Sequence, residues 1–558
     1  MPPLLPALRV AALRRRLEGA PLPMAAPALA EALALALFLA ALCLGLWRAA
    51  TTAINLDVGF FLLGARTLRD GRELYVTWFD FNTPANYALP WLSLWLAEAT
   101  GLRPADTTMA MITALLLGCA VLAALALRRA IPQAWSLPRI IGPAAFVLCL
   151  LVRPGFNFGQ REVVFLAGLL PLLVLLWARR SGRAMPGGAL AVTAALLAAF
   201  GAAHKPHFVV FLAGLAAMDL VLARLRPGHL AWPVWLALAL AVAEMARMLL
   251  VHPQYLPLLL DFVGPGYAAL GSPWRLAQGY LLGREWLAAA LLGGLLAAHA
   301  WARPSPGQWP TMALWAGCLT LALGMFLAQG IGLLYQRFVY EALVVLTGVL
   351  ALAAAAELAC RLVAPRRLWP RAAAALGLVV LFAWHGWTRP GVQLTRAMVV
   401  DNPVVAMLEA LPPGAGAMAL QTMVNPASVL HGYARGRFRW AAEFGALTEF
   451  AAIERERQRA RQAGEPMRPA LAAIERAMLD RVVRAFADDP PALVLVEHPR
   501  IRLQWHGTAP ALPIIAVLAA DPRFAAAWAG YGAAESVAVP EGISARTELL
   551  DIHRRHTP

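Results

Sequence analysis

The sequence predicts a mainly α-helical, polytopic transmembrane domain followed by a small C-terminal periplasmic α/β domain. Three observations carry this expectation. Of 558 residues, 60% are hydrophobic and only 14% charged, against roughly 45–50% and 25% in soluble domains. Apolar runs close to the ~20 residues that cross a bilayer recur as far as residue 386. From residue 390 the composition becomes that of a water-soluble chain. There, "GAMALQTM" (416–423) and "ALVLVE" (492–497) read as strands, and 446–462 and 469–487 as charged helices.

At the N-terminus, Arg9, Arg14, Arg15 and Arg16 precede an apolar stretch from Ala28 to Trp47. That stretch exceeds a signal-peptide core and lacks a cleavage site, so it reads as a retained signal anchor behind a cytoplasmic tail, residues 1–27. Placing the basic clusters inside orients the rest. They are the N-terminus, Arg128/Arg129/Arg139, Arg179/Arg180/Arg183, Arg224/Arg226, Arg303 and Arg361/Arg366/Arg367/Arg371. The spans between them are 28–47, 107–127, 138–153, 163–178, 188–203, 207–223, 231–250, 286–301, 309–329, 338–359 and 371–387. Eleven crossings put the N-terminus inside and the C-terminus outside. Segment 85–99 is short and carries Pro90, which suits an interfacial helix better than a crossing. The membrane domain thus covers 28–389, with an outer-face loop at 48–106, and the soluble outer-face domain covers 390–558.

The net charge of +16 falls in short clusters between apolar runs, a topology signal and not a nucleic-acid face. Cys43, Cys119, Cys149, Cys318 and Cys360 lie in or at the ends of apolar runs, with no metal-ligand spacing. G-x-S-x-G, P-loop and H-E-x-x-H patterns are missing, which disfavours hydrolase and nucleotide-driven chemistry.

In this topology the polar residues converge on the outer face. Asp57 follows the first span; it fits a helix N-cap, a catalytic base, or both. Arg161 and Glu162 open a re-entering helix, where an acid also suits the helix dipole, but charge near membrane depth usually faces a cavity or a partner. Lys205 is the only lysine in the chain. It sits in "HKPH" with His204 and His207, either as a point charge for phosphate or as a snorkelling interfacial side chain. Arg337 in "YQRFVYE" is a phosphate partner or an anchor.

Asp57 and Gly59, with "GARTLRDGRELYVTWFDFNTP", resemble the first external loop of C-type (GT-C) glycosyltransferases, above all family 39, with its protein O-mannosyltransferases and aminoarabinose transferases. The pattern falls on Asp57, Leu68, Gly71, Tyr75, Asp80 and Pro84. "GQREVVFLAGLLPLL" is similar to the family's second acidic site and "GAAHKPHF" to its basic turn. Two positions depart from the pattern. Val58 stands where Glu is usual, removing one metal ligand, and Thr83–Pro84 replaces a Pro pair.

The resemblance implies a bacterial inner-membrane hexosyl- or pentosyltransferase that takes a sugar from a polyprenyl-phosphate donor to a glycan, lipid or protein acceptor of the cell envelope, with inversion. An outer-face site independently favours a lipid donor, because nucleotide sugars are cytoplasmic. Asp57 would be the base. Lys205, with Arg161 or Arg337, would hold the donor phosphate beside His204 and His207. Glu162 would orient that basic group or complete a divalent-metal site with Asp57, and Val58 favours orientation. No cofactor is otherwise implied. The rival readings are a transporter, another lipid-linked group transferase, or an envelope assembly protein. The absence of repeated halves argues against a carrier.

Overall fold

The computed structural model describes residues 26–182, 188–224, 230–266, 271–282, 308–330, 332–333, 335–363, 367–387, 395–422, 426–498, 513–532, 535–540 and 547–556. Among the described residues, the longer helices of the first part are α1 (Ala26–Thr51), α2 (Leu56–Arg69), α3 (Ala85–Thr100), α4 (Pro104–Ala130), α5 (Leu137–Val147), α6 (Arg161–Arg180), α7 (Ala189–Ala202), α8 (Pro206–Leu222), α9 (Trp232–Val251), α10 (Pro273–Leu282), α11 (Gln308–Ala328), α12 (Phe338–Val363) and α13 (Trp369–Trp387).

Among the described residues, five helices are long and apolar enough to cross a membrane: Pro27–Thr51, Pro104–Ala130, Arg161–Arg180, Trp232–Val251 and Phe338–Cys360. They coincide with the expected spans 28–47, 107–127, 163–178, 231–250 and 338–359. Shorter apolar helices at Leu137–Val152, Ala189–Ala202, Pro206–Leu222 and Met312–Ala328 fall on four more. Span 371–387 is α13, while 286–301 and most of the tail 1–27 lie outside the described residues. Segment 85–99 is the helix α3, with Pro90 inside it and Trp91, Leu92 and Trp95 exposed.

Helix α6 is buried almost throughout, which is why its sequence is apolar on every side. Its neighbour α7 approaches closely through glycines. A Cβ on Gly168 would lie 2.2 Å from the Leu197 carbonyl oxygen, and one on Gly201 would lie 2.9 Å from Phe165 Cα. This contact brings the turn after α7, carrying His204 and Lys205, against the start of α6, carrying Arg161 and Glu162. At the other end of α6, Arg180 pairs with buried Asp219. Asp219 Oδ2 also accepts from the Ala231 N–H at 2.9 Å and Trp235 Nε1 at 3.2 Å, tying α6, α8 and α9 together.

The second part contains α14 (Arg396–Val400), α15 (Pro403–Glu409), β1 (Gly416–Leu420), α16 (Pro426–Tyr433), β2 (Arg439–Trp440), α17 (Glu449–Ala463), α18 (Pro469–Asp488), β3 (Leu493–Glu497), α19 (Ile514–Leu518), α20 (Pro522–Trp528), β4 (Glu535–Pro540) and β5 (Thr547–Arg554). The strand order is β2-β1-β3-β5-β4, parallel across the first three and antiparallel beyond. Both expected strands and both expected helices are present. β1 and β3 are buried at every position because both faces are covered, and only Glu497 at the end of β3 is charged.

This domain is held to the helical part by polar contacts. Tyr433 Oη accepts from the Ile54 N–H at 2.9 Å, Arg396 grips Asp106 through two 2.6 Å bonds, and the Phe79 N–H donates to the Glu443 carbonyl at 2.6 Å. Gly59 makes the fit possible. Its ideal Cβ would lie 2.6 Å from the Ser428 carbonyl oxygen, so α2 and α16 touch backbone to backbone.

Candidate active site

The loop 52–55 leads into α2 through Asn55. Its backbone is extended and its side-chain oxygen accepts from the Asp57 N–H at 2.9 Å, the geometry of a helix N-cap. Asn55 is therefore the cap, and Asp57 stands in the first turn with its carboxylate free for other work. Gln160, which donates to Asn55 Oδ1 at 2.7 Å, fixes the start of α6 against the start of α2. The two following side chains then meet: Arg161 Nη2 lies 3.2 Å from Asp57 Oδ2.

Arg161 is held from several directions. Its Nη1 donates to Asn82 Oδ1, and its guanidinium lies 5.1 Å from the Phe61 ring centroid and 5.8 Å from that of Tyr335. Asn82 is in turn set by Asp80, whose Oδ1 accepts from Phe81 N–H (2.7 Å) and Asn82 Nδ2 (2.7 Å) and whose Oδ2 accepts from Tyr87 Oη. Burial pushes the Asp80 carboxyl up, against the pull of these hydrogen bonds. Tyr75, at φ +68, donates its hydroxyl to the Asn82 carbonyl at 2.6 Å and packs against His252 and Tyr255. Tyr75 and Asp80 thus shape the loop that aims Asn82 at Arg161, while Pro84 precedes the first turn of α3.

Asp57, Arg161, Asp80 and Asn82 line a cavity of about 170 Å³, walled by aromatic side chains including Phe60, Phe61, Phe79, Phe156, Phe262 and Tyr335. The C-terminal domain closes it with Ala446, Thr448, Glu449 and Ala452. Asp57 keeps 18% of its side chain accessible and Arg161 9%, so the carboxylate is the more open of the two. Glu449 Oε2 is buried without a hydrogen-bond partner, and burial pushes its carboxyl up to about 7.

Lys205 and Glu162 form a second ion pair beside the first. Glu162 is wholly buried and its other oxygen lacks a hydrogen-bond partner. Burial, then the Arg161 charge, pulls the Lys205 ammonium down to about 8, opposed by Glu162 and Asp57. Lys205 Nζ is 5.0 Å from the Tyr335 centroid, so one aromatic ring faces both cations. Lys205 is not among the residues that line the cavity, although Tyr335, whose ring it faces, is.

The remaining expected residues fall elsewhere. His204 Nδ1 contacts the Phe200 carbonyl at 2.9 Å, and burial holds the ring down to about 4 and so neutral. His207 packs on Phe208, its Nε2 unpartnered. Arg337 pairs with Glu341 at 3.0 Å, which also faces buried Arg153. None of these three lines the cavity. Gly59 serves domain contact, as described above.

For a divalent metal, the donor set does not gather. Asp57 and Glu162 are each already paired with a cation, and no group of three His, Cys, Asp or Glu side chains comes together among the described residues. Val58 is buried against Gly159, so the position where Glu is usual belongs here to the core. Asn55, Asn82, Gln160, Tyr335 and Glu449 were not singled out in the sequence. Asn82 lies inside the quoted loop, Gln160 directly before Arg161 and Tyr335 at the start of "YQRFVYE", whereas nothing local marks Glu449.

No family model matches the chain, and no curated protein matches it. Among solved structures, the chain is similar to ArnT from Cupriavidus metallidurans bound to undecaprenyl phosphate, at 16% identity and TM-score 0.48 over 94% of this chain and 97% of that one. The apo state of that protein aligns at 15% identity and TM-score 0.42, over 93% and 97%. The Archaeoglobus fulgidus oligosaccharyltransferase, tethered to an acceptor peptide containing the NVT sequon, aligns at 11% identity and TM-score 0.46, over 90% and 72%.

Proposed function

We propose that this chain is an integral membrane glycosyltransferase. It moves a sugar from a polyprenyl-phosphate donor to a cell-envelope acceptor at the outer face of the bacterial inner membrane, with eleven crossings and residues 390–558 outside. The observation that carries this reading is the Asp57–Arg161 ion pair opening on an aromatic-walled cavity, with the Lys205–Glu162 pair beside it.

In the reaction, an acceptor hydroxyl attacks the anomeric carbon from the side opposite the phosphate. The carbon–phosphate-oxygen bond breaks, its electron pair leaves with the lipid phosphate, and the configuration inverts. Asp57 takes the hydroxyl proton. Arg161, backed by Lys205 across Tyr335, meets the charge growing on the leaving oxygen. Donor binding has a second consequence. The phosphate competes for the Arg161 guanidinium, which releases Asp57 to act as base only when a donor is in place. Glu162 orients Lys205, and the aromatic wall accommodates the sugar and the first isoprene units.

The test uses membranes carrying the chain, incubated with a radiolabelled polyprenyl-phosphate sugar, following label into the envelope fraction and release of polyprenyl phosphate. Asp57→Asn serves as the comparison, and vesicle uptake of the same sugar is measured in parallel. Accumulation without donor consumption identifies a carrier, and donor consumption unchanged in Asp57→Asn rejects the base.

A further inference from the structure

A second cleft, of about 720 Å³, opens at the other end of α2. Nine residues separate Asp57 from Arg66, so at 1.5 Å per residue the cleft lies about 14 Å along the helix from the candidate base. Its walls are the last turn of α2, the end of α3, and the loop 435–438 of the C-terminal domain. It is a place where both parts of the chain meet.

The charges in this cleft do not cancel. Four arginines, Arg66, Arg69, Arg435 and Arg437, face Asp70 and Glu98. Glu98 is taken by Arg69 at 2.8 Å, leaving three guanidinium groups against one acid. Arg66 lies 4.7 Å over the Phe438 ring, and its Nη1 is shut off from solvent with no hydrogen-bond partner. Arg435 and Arg437 are exposed, and their side chains have no ion pair among the described residues. Three forked donors around the single carboxylate of Asp70 leave an excess of positive charge and unfilled N–H groups, which suits a phosphoryl group.

The depth of the cleft says where such a group comes from. Helix α3 supplies one wall, and elsewhere on its surface Trp91, Leu92 and Trp95 stand 50%, 49% and 60% exposed, with Leu102 at the cleft itself 52% exposed. Large apolar side chains with tryptophans set out in the open mark the headgroup level of a bilayer. Guanidinium groups at that level meet the phosphoryl oxygens of lipid headgroups with matched forked donors.

We propose that this cleft binds the phosphoryl headgroup of an anionic membrane lipid, with the acyl chains running along the exposed face of α3. The lipid bridges α2 and α3 to the loop 435–438 and so fastens the C-terminal domain at the bilayer surface. This site is separate from the cavity at Asp57 and stands whether or not the transferase reading holds.

The test places the purified full chain in nanodiscs of phosphatidylcholine alone or mixed with phosphatidylglycerol. Native mass spectrometry counts the lipids retained after extraction, and thermal unfolding is followed in parallel. The expected result is phosphatidylglycerol enriched about fivefold over its share of the disc, with a higher Tm. Arg435→Gln/Arg437→Gln, both at exposed positions, should abolish the enrichment, whereas Arg461→Gln, an exposed arginine outside the cleft, should not. Arg66→Gln should act like the double variant; if it fails to fold, the exposed pair decides alone. Equal enrichment in wild type and the double variant overturns the proposal. So does equal stabilisation by inorganic phosphate in phosphatidylcholine discs, which would identify a free-phosphate site.

Discussion

Thr83 donates its hydroxyl to the Ala203 carbonyl at 2.7 Å, pinning the loop that carries Asn82 to the turn that carries Lys205. Asn86 adds a second clasp, its Nδ2 donating to the His204 carbonyl at 3.0 Å. The residue that breaks the Pro pair thus has a job of its own, because a proline at 83 has no donor for that carbonyl. Thr83→Val keeps the shape and strands the buried acceptor, at about 1–3 kcal/mol. Thermal unfolding should show that loss, with donor turnover down on the order of tenfold as Asn82 and Lys205 drift apart. An unchanged Tm would show the clasp to be idle.

Asp57→Asn keeps the side-chain shape and leaves Arg161 an oxygen acceptor, so folding should survive within about 1–2 kcal/mol. It cannot accept the hydroxyl proton. Turnover should fall by roughly 10²–10⁴, the range for loss of a general base. Paired measurements of Tm and sugar transfer separate the two effects; a variant that unfolds without a specific rate loss would make Asp57 a structural partner of Arg161 only.

The Lys205–Glu162 pair should behave in the opposite way. Lys205→Met strands a fully buried carboxylate and should cost about 3–5 kcal/mol. Lys205→Met combined with Glu162→Leu removes both charges and should recover most of that stability, while transfer stays lost because no ammonium faces Tyr335. A stable double variant with near-normal turnover would remove Lys205 from the mechanism.

These contrasts bear on how much the chain reveals unaided. The strands at β1 and β3 and the helices α17 and α18 were legible because the C-terminal part alternates plainly between apolar strands and charged helices. Asp57, Arg161, Glu162 and Lys205 were legible because charge is rare in so apolar a chain. Their pairing was not. Asp57 takes Arg161 and Glu162 takes Lys205, a choice set by the close packing of α6 on α7 and by Asn55 capping α2, neither of which shows in local spacing. Arg337 looked equal to Arg161 in sequence, yet Glu341 one helical turn ahead claims it. Glu449 lies nearly 400 residues from Asp57 in the chain, in a helix whose pattern is that of any solvated surface, and only the docking of α17 gives it a cavity to face.

Glu449 makes stability depend on pH. Burial raises its folded value to about 7 from the ordinary 4.5, so the folded chain binds more protons than the unfolded one between those values. Its contribution is full below pH 4.5 and is lost as pH rises through 7. The residue is partly open to the cavity, which limits the effect to on the order of 1–2 kcal/mol. Glu449→Gln should flatten the change in Tm between pH 5 and 8 and raise Tm at the alkaline end. A parallel pH profile in wild type and variant would show that the group titrates normally.

Gly59→Ala sets two effects of opposite sign against each other. Within α2, alanine favours the helix over glycine by about 1 kcal/mol. Against that, the new methyl would lie 2.6 Å from the Ser428 carbonyl oxygen and 3.3 Å from Val429 Cα, and neither backbone atom can swing aside as a side chain would. Relieving the clash means moving α16 away from α2, which costs about 1–3 kcal/mol and also stretches the Tyr433 hydroxyl contact at Ile54. Overpacking should therefore win, with Tm falling and limited proteolysis between α13 and β1 becoming faster. Because α16 and α17 belong to the same domain, the shift should also open the cavity at Glu449 and lower transfer with no change at Asp57 itself. A rise in Tm on Gly59→Ala would mean that helix propensity outweighs the contact and that the two parts of the chain are not locked together at this position.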